Sequence, residues 1–190
     1  MEYGLARGAS LSTDGSALKN FKELGVSAKL IKALEENNII TPTEIQQVAI
    51  PYLLQEGGDL IGQAQTGTGK TAAFGIPMLQ YIDPKIEKIQ GLVLAPTREL
   101  AKQIAKQLFR FARYSPERIF TEAVYGGDPI EKQRAALSRP THIVVATPGR
   151  LIDLLKVKAL DLSAVRMCVL DEADEMLSMG FKKELETILG

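Results

Sequence analysis

The residues most able to do chemistry lie in the segment 64–71, which reads Ala-Gln-Thr-Gly-Thr-Gly-Lys-Thr between a strand-like run and a helix-like run. Glycines in such a loop let backbone N–H groups converge on an anion, and the N-terminus of the following helix adds partial positive charge. Lys70 supplies a charge for β- and γ-phosphates, and the Thr71 hydroxyl is a ligand for Mg²⁺. Ala64 replaces the usual first glycine, so the segment predicts a variant phosphate-binding loop rather than an ordinary glycine turn.

A second chemical group is the acidic run Asp171-Glu172-Ala173-Asp174, which directly follows an apolar, strand-like segment. A carboxylate at the tip of a buried strand can hold a phosphate-bound Mg²⁺, and its neighbour can orient the attacking water. We assign Asp171 to the metal and Glu172 to the water, with Glu172 as the proton acceptor. The alternative is that these acids only cap the next helix. The presence of Lys70 and Thr71 in the same chain favours the catalytic interpretation.

Three further clusters combine small hydroxyls, glycines, prolines and arginines, and each also follows a predicted strand. They are Pro96-Thr97-Arg98, Gly126-Gly127 and Thr147-Pro148-Gly149-Arg150. Backbone N–H groups and arginines suit a phosphodiester chain, which proteins bind without reading its bases. Any one cluster alone is more typical of a capped turn than of a binding site. Composition does not choose between RNA, DNA and another phosphate ligand.

The elements that position these residues are predicted from hydrophobic periodicity. Apolar strand-like runs span 59–63, 91–95, 119–124, 142–146 and 165–170, and helix-like segments span 71–81, 98–111, 129–137 and 149–155. This alternation predicts an α/β fold with a mainly parallel sheet and helices on both faces. The polar clusters follow the strands, so they are expected at the carboxyl edge of the sheet, where such folds bind ligands.

Helix starts are predicted from capping patterns. Ser27 is expected to cap a helix whose apolar residues Leu30, Ile31 and Leu34 recur at helical spacing. The segment 41–44 reads as a capping box with proline at the first helical position, and Pro51 is expected to end or bend that helix. The segment 128–131, Asp-Pro-Ile-Glu, predicts another capped start.

Composition limits the class of protein. The 190 residues are 45% apolar and hold 23 basic and 23 acidic side chains, so any nucleic-acid binding requires a local basic patch. The single cysteine, Cys168, excludes an internal disulfide and is expected to be a packed core thiol, and the single histidine, His142, disfavours a histidine-rich metal site. No signal peptide or membrane-length apolar run occurs, so a cytoplasmic setting without membrane contact is expected.

These motifs together resemble the first RecA-like domain of a DEAD-box RNA helicase. Residues 64–71 resemble the family's first motif, 96–101 its motif Ia, and Asp171-Glu172-Ala173-Asp174 spells the family's name. Gly126-Gly127 is similar to its glycine pair and residues 147–150 to its motif Ib. Upstream, residues 41–46 resemble its Q motif, although Asn38-Ile39 replaces the usual pair of glycine and an aromatic residue.

The resemblance implies the fold, the ligands and their contacts. It implies a RecA-like P-loop NTPase domain that binds ATP with Mg²⁺, with Gln46 recognising adenine and Phe21 packing on its ring. The implied ATP contacts are Phe21, Thr41, Gln46, Gln65, Thr66, Gly67, Thr68, Gly69, Lys70 and Thr71. The implied RNA-backbone contacts are Pro96, Thr97, Arg98, Gly126, Gly127, Thr147, Pro148, Gly149 and Arg150. Asp174 is implied to couple the nucleotide site to RNA and to the second domain.

The resemblance also sets the expected organisation. Residues 1–16 are expected to be a flexible lead-in, 17–56 to hold N-terminal helices with the Q motif, and 57–190 to form the ATP-binding domain. The family's Ser-Ala-Thr motif does not occur in the sequence, nor does its second RecA-like domain. We therefore expect a fragment of a longer protein that binds ATP weakly, hydrolyses it slowly and does not unwind RNA alone.

Three functions remain open on the sequence. The favoured one is part of an ATP-dependent RNA helicase that unwinds or remodels RNA duplexes. The second is an RNA clamp or scaffold that binds ATP with little turnover. The third is a P-loop ATPase acting on DNA or protein, which the resemblance of Gln46 and of residues 147–150 to helicase motifs disfavours.

Overall fold

The computed structural model describes residues 18–55, 57–64, 67 and 69–190. The chain divides into two compact units, Met1–Gln80 and Tyr81–Gly190. Within the described residues, the first unit holds α1 (Ala28–Glu36), α2 (Glu44–Gln55) and most of α3 (Lys70–Tyr81). The second unit holds, in chain order, β1 (Gly91–Leu94), α4 (Arg98–Phe111), β2 (Thr121–Val124), α5 (Ile130–Leu137), β3 (Ile143–Ala146), α6 (Pro148–Lys156), β4 (Met167–Leu170), α7 (Ala173–Ser178) and α8 (Lys182–Leu189).

Helix α1 begins where the sequence predicts. The Ser27 hydroxyl oxygen accepts a hydrogen bond from the Leu30 N–H at 3.4 Å, so Ser27 is the N-cap. Its own N–H donates to the side-chain oxygen of Gln80 at 2.9 Å. Leu30 and Leu34 are buried. The helix therefore buries the apolar face that its spacing indicates.

Helix α2 starts at Glu44, later than the predicted start at Pro42. The Thr43 N–H donates to the Gln46 side-chain oxygen at 3.0 Å, which is the reciprocal bond of a capping box with three-residue spacing. Thr41 is exposed. Pro51 does not end the helix, since α2 continues to Gln55, and a bend at Pro51 remains a prediction.

The prediction of a strand over residues 59–63 is wrong. These residues are exposed and have no regular secondary structure. The Asp59 carbonyl accepts a hydrogen bond from the Tyr52 hydroxyl at 3.1 Å instead of joining a ladder. A strand exists only where a partner completes its backbone hydrogen bonds, and no strand among the described residues pairs with this run.

The second unit is built on a four-stranded sheet in the order β2-β3-β1-β4, with every neighbouring pair parallel. Leu94 lies opposite Ala146 in β3 and Leu170 in β4. Strands β1 and β3 are buried along their full length, as expected for central strands of a covered parallel sheet. This confirms the predicted fold class of a parallel sheet flanked by helices.

Helices cover both faces of this sheet. One face packs its side chains against helices α6, α7 and α8 in a single core formed by Ile89, Leu92, Leu94, Val124, Val144, Ala146, Leu151, Leu154, Met176 and Leu185. The other face is covered by α4, which packs against β2 and β3 and buries Ala101, Ile104, Leu108 and Phe111. Helix α4 spans the residues that the sequence predicts.

Strand β4 is less covered than predicted. Among the described residues it pairs with β1 alone, and half-buried residues alternate with exposed ones along it. Cys168 is therefore exposed, and the prediction of a packed core thiol is wrong because the residue lies on an edge strand. Protein atoms around the sulfur still raise the pKa of the thiol to about 11 by burial.

Each helix in the described part of the chain falls short of the length and apolar character that crossing a bilayer requires.

Candidate functional site

Two glycines of the predicted phosphate-binding loop adopt positive φ angles. Gly67 and Gly69 have φ of +84° and +81°, a region that L-residues with side chains rarely adopt. A Cβ at Gly69 would collide with the side-chain amide of Gln46, so only glycine fits there. The predicted contacts Gln65, Thr66 and Thr68 lie outside the described residues.

Helix α3 begins at Lys70, directly after this loop. Its first N–H groups therefore point toward the loop and leave a partial positive charge there. No acidic side chain lies in the first turn of α3, which the structure describes completely. Lys70 and Thr71 are half-buried in that turn. Lys70 adds its positive charge to that of the helix terminus.

Gln46 connects α2 to the loop. It is 1% exposed, its amide nitrogen donates to the Gly69 carbonyl at 3.0 Å, and its oxygen accepts from Thr43. Each amide group keeps further capacity, because the nitrogen has a second hydrogen and the oxygen a second lone pair. Phe21 is buried, whereas Thr41 is exposed. Adenine recognition by these three residues remains a prediction.

In the second unit, the predicted nucleic-acid clusters come to one edge. Pro96-Thr97-Arg98 follows β1, Gly126-Gly127 follows β2, residues 147–150 follow β3, and Asp171-Glu172 follows β4. All four strands are parallel, so their carboxyl ends lie on the same side of the sheet. We call this the carboxyl edge. The placement of Lys70 and Thr71 relative to it remains a prediction.

The acidic run is held in a defined conformation. Asp171 is 5% exposed, and its N–H donates to the Leu94 carbonyl at 2.9 Å, which extends the pairing of β4 with β1. Glu172 has φ +52° and ψ 52°, a left-handed conformation that costs a residue with a side chain about 1–3 kcal/mol. Its side chain makes no capping bond to α7, so the alternative of a side-chain cap at Glu172 is wrong. Asp174 is exposed in the first turn of that helix.

The start of α4 places Arg98 against the loop after β2. The Thr97 hydroxyl caps the helix by accepting from the Leu100 N–H at 3.2 Å. Arg98 Nη1 lies 3.4 Å from Asp128 Oδ1. The prediction that Asp128 caps α5 is wrong, since that helix begins at Ile130 after Pro129 and has no side-chain cap. The Asp128 carboxylate instead forms an ion pair with Arg98.

Sequence reasoning missed Lys102 and Tyr125, which lie close to Arg98. The Arg98 Cζ and the Lys102 Nζ lie 4.8 Å and 5.2 Å from the ring centroid of Tyr125, within cation–π range. Gly127, at φ +97°, approaches the same arginine, because a Cβ there would be 3.4 Å from Arg98 Nη1. The sequence could have indicated Lys102, because it lies four residues after Arg98 and residues at that spacing share one face of a helix.

A buried polar network connects two of the clusters. Arg150 Nη1 donates to the Asp128 carbonyl at 2.8 Å and to the Gln133 side-chain oxygen at 3.1 Å. Gln133 in turn bonds both backbone groups of Tyr125. Sequence reasoning missed Gln133, and no local pattern marks it, because its partners come from other elements.

The predicted magnesium ligands Thr71 and Asp171 carry oxygen donors, the type that magnesium prefers. Within the described residues, no group of three or more His, Cys, Asp or Glu side chains could hold a metal ion. Thr71 and Asp171 offer one hydroxyl and one carboxylate. Magnesium keeps several waters and is commonly bound by one or two carboxylates together with substrate phosphates, so each residue is a suitable donor by its chemistry, and that both hold one ion remains a prediction.

Comparison with known proteins gives consistent matches. A family model described as DEAD/DEAH box helicase matches residues 43–190. The DEAD-box ATP-dependent RNA helicase CshA of Streptococcus pneumoniae is 53% identical over 169 residues, which are 89% of this chain and 32% of that protein. CshA of Bacillus cereus is 48% identical over 172 residues, which are 90% of this chain and 32% of that protein.

A solved structure is also similar. The crystal structure of a DEAD box protein from the hyperthermophile Methanococcus jannaschii matches with a TM-score of 0.84 at 39% identity, covering 90% of this chain and 46% of that one. The chain spans about a third of the length of the curated relatives it matches. The family match includes Gln46, the phosphate-binding loop and the acidic run, whereas Phe21 and Thr41 precede it.

Proposed function

We propose, because this chain belongs to the DEAD/DEAH box helicase family, that it is the ATP-binding domain of a longer ATP-dependent RNA helicase. The longer protein couples ATP hydrolysis to unwinding or remodelling of RNA duplexes. The observation that carries the proposal is the glycine loop with positive φ at Gly67 and Gly69, which leads directly into the N-terminus of α3. Such a terminus binds phosphate through its N–H groups and its dipole.

The first unit holds the nucleotide. The loop and the first turn of α3 bind the phosphates, Lys70 neutralises the β- and γ-phosphates, and Thr71 is a ligand of Mg²⁺. Gln46 pairs with adenine through the hydrogen and lone pair that its bonds to Gly69 and Thr43 leave over. Phe21 and Thr41 complete the base site, in the way that the family resemblance implies.

The acidic run carries out the chemistry. Bound Mg·ATP supplies the γ-phosphoryl group and the charge of the metal. Asp171, held by its backbone bond to Leu94, is the carboxylate for the metal. Glu172 orients the attacking water and accepts its proton. Because its left-handed conformation leaves α7 without a side-chain cap, its carboxylate is committed to no helix-capping role.

The carboxyl edge holds the RNA backbone. Sugar and phosphate groups contact the backbone N–H groups of Gly126, Gly127 and Gly149. They also contact polar groups of Pro96, Thr97, Thr147 and Pro148. Arg98 and Arg150 contribute positive charge, and Lys102 adds a third cation beside Tyr125. Contacts of this kind fix position without reading sequence. Asp174, exposed at the start of α7, couples the edge to the nucleotide site and to a second RecA-like domain.

The experiment that tests this function measures phosphate release by the longer protein with and without single-stranded RNA. We expect RNA to stimulate turnover. The variant Glu172→Gln retains nucleotide binding and loses turnover, whereas Lys70→Ala weakens binding itself. Glu175→Gln, an exposed acid in the first turn of α7, is the matched control and keeps wild-type rates.

Two results would change the proposal. Normal hydrolysis by Glu172→Gln would show that this carboxylate does not position the water. ATP-dependent RNA binding without RNA-stimulated turnover would replace the helicase with an ATP-gated RNA clamp.

A further inference from the structure

Gln133 is a buried polar residue that the proposed binding and catalytic roles do not use. It is 6% exposed and is the single fully buried residue of α5. A buried amide without partners costs about 1–3 kcal/mol. A position selected for packing alone would hold an apolar side chain, as the flanking half-buried Ile130 and Leu137 do. The glutamine is therefore explained by its hydrogen bonds.

Those bonds fix one residue of the carboxyl edge. The Gln133 amide nitrogen donates to the Tyr125 carbonyl at 2.9 Å, and its oxygen accepts from the Tyr125 N–H at 3.3 Å. A single side chain thus takes both backbone groups of the residue between β2 and Gly126-Gly127. Glycines have the most backbone freedom, so fixing the residue before them limits the directions that their N–H groups adopt.

The same amide oxygen joins this loop to the next cluster. It also accepts from Arg150 Nη1 at 3.1 Å, and that nitrogen donates to the Asp128 carbonyl at 2.8 Å. The segment 125–128 is thereby held at its start by Gln133 and at its end by Arg150. Because the two holding residues bond each other, the glycine pair and the 147–150 cluster keep one relative position.

We infer that Gln133 is a positioning residue for binding of the RNA backbone, acting through Tyr125 and Arg150 rather than by touching RNA. The inference rests on the proposed function of the carboxyl edge. It assigns to Arg150 a second role beside its charge, which is to fix the loop after β2. A merely structural residue would change stability but would not separate RNA affinity from nucleotide affinity.

The test uses the longer protein and a fluorescent single-stranded oligouridylate. Gln133→Met keeps the length of the side chain and removes its hydrogen bonds. We expect its Kd for RNA to rise roughly five- to tenfold, the loss typical of a few positioning hydrogen bonds, with unchanged ATP affinity in the absence of RNA. Gln133→Glu keeps the acceptor for Tyr125 N–H and Arg150 and loses the donor, so its Kd is intermediate. Gln103→Met, at an exposed glutamine of α4, is the control and binds RNA normally.

A double-mutant cycle isolates the connection to Arg150. Adding Gln133→Met to Arg150→Met should weaken RNA binding by less than the single change does in the wild type. Wild-type RNA affinity in both Gln133 variants, equal losses of RNA and ATP affinity, or full additivity would each overturn the inference. If Gln133→Met does not fold, the RNA affinity of Gln133→Glu decides the test. A wild-type protein that binds no RNA would overturn the proposed function as well.

Discussion

Lys102 and Arg98 lie one helical turn apart on α4, and both cations lie over the ring of Tyr125. An exposed cation–π contact is worth about 0.5–1 kcal/mol, which is enough to bias two long side chains toward one place. It does not neutralise their charge. Arg98 shares its charge with Asp128, whereas Lys102 is exposed on the same helix face. Lys102 is therefore available to a phosphate at the carboxyl edge.

We predict that Lys102→Ala weakens RNA binding with little dependence on RNA sequence. One phosphate contact fewer should make the slope of log Kd against log salt concentration shallower by about 0.7 for single-stranded RNA. The measurement is a salt titration of RNA affinity in the longer protein. Lys183→Ala, at an exposed lysine of α8, is the control. An equal slope for Lys102→Ala and the wild type would place Lys102 outside the RNA contact.

Cys168 gives a prediction about pH. The residue as a whole is exposed, so a small reagent can reach it. Protein atoms around the sulfur nevertheless raise the pKa of the thiol to about 11 by burial. A raised thiol pKa keeps the group protonated at neutral pH, and the thiolate is the reactive form. Alkylation of the native chain by iodoacetamide should therefore be slow at pH 8. Its rate should rise about tenfold per pH unit up to pH 10 without a plateau.

The same chain unfolded in urea is the reference for this thiol. There the rate should level off above an ordinary cysteine pKa of about 8.5. A native rate that levels off at the same pH would show that the fold does not desolvate the sulfur.

At the scale of elements, the sequence predicts most boundaries where local chemistry sets them. Helix α4 begins at the Thr97 cap and carries an apolar stripe of helical period, so both its ends follow from local pattern. The run 59–63 has strand-like composition but no pairing partner among the described residues. Composition does not reveal whether a neighbour exists. The exposure of Cys168 escaped prediction for the same reason.

The candidate site also has features that local sequence predicts and features that depend on tertiary contacts. Clusters that directly follow strands were predicted to share one edge, because parallel strands place their carboxyl ends together. The expected capping role of Asp128 is wrong, since α5 has Pro129 at its N-cap position and Asp128 pairs with Arg98, which is distant in sequence. Gln133 was missed because its partners Tyr125 and Arg150 come from two other elements. Such contacts depend on tertiary packing and leave no periodic trace.

His142 joins the start of β3 to two distant segments, and this yields a stability prediction. Its Nδ1 accepts from the Phe120 N–H at 3.0 Å, so its Nε2 carries the hydrogen and donates to the Pro84 carbonyl at 3.0 Å. The ring is 1% exposed and stacks on Phe120. His142→Ala leaves a cavity and two unpaired backbone groups. We expect a loss of roughly 3–5 kcal/mol in the free energy of unfolding.

Urea denaturation of the wild type and the variant measures this loss, provided that the m-value is the same for both. His142→Gln, which keeps an acceptor and a donor, should lose less. A cost below about 1 kcal/mol for His142→Ala would mean that the two bonds contribute little to the second unit.

At the scale of the whole molecule, the chain spans about a third of the length of its curated relatives. Phosphoryl transfer needs positive charge on the γ-phosphate, and an arginine finger is worth about 10³–10⁵ in rate. We propose that a second RecA-like domain supplies it, as the family resemblance implies. We predict that the 190 residues bind ATP weakly and hydrolyse it slowly with or without RNA. Strong RNA-stimulated phosphate release by this chain alone would contradict the proposal that a second domain supplies the arginine.

The central proposal, which the family resemblance implies, is that Lys70 and Asp171 act on one Mg·ATP. A double-mutant cycle on nucleotide affinity in the longer protein tests it most directly, with Lys70→Ala, Asp171→Asn, the double variant and the exposed Asp153→Asn as control. We predict non-additive losses, and an effect of Asp171→Asn that vanishes when Mg²⁺ is removed. Wild-type nucleotide affinity for Asp171→Asn in the presence of Mg²⁺ would contradict the claim.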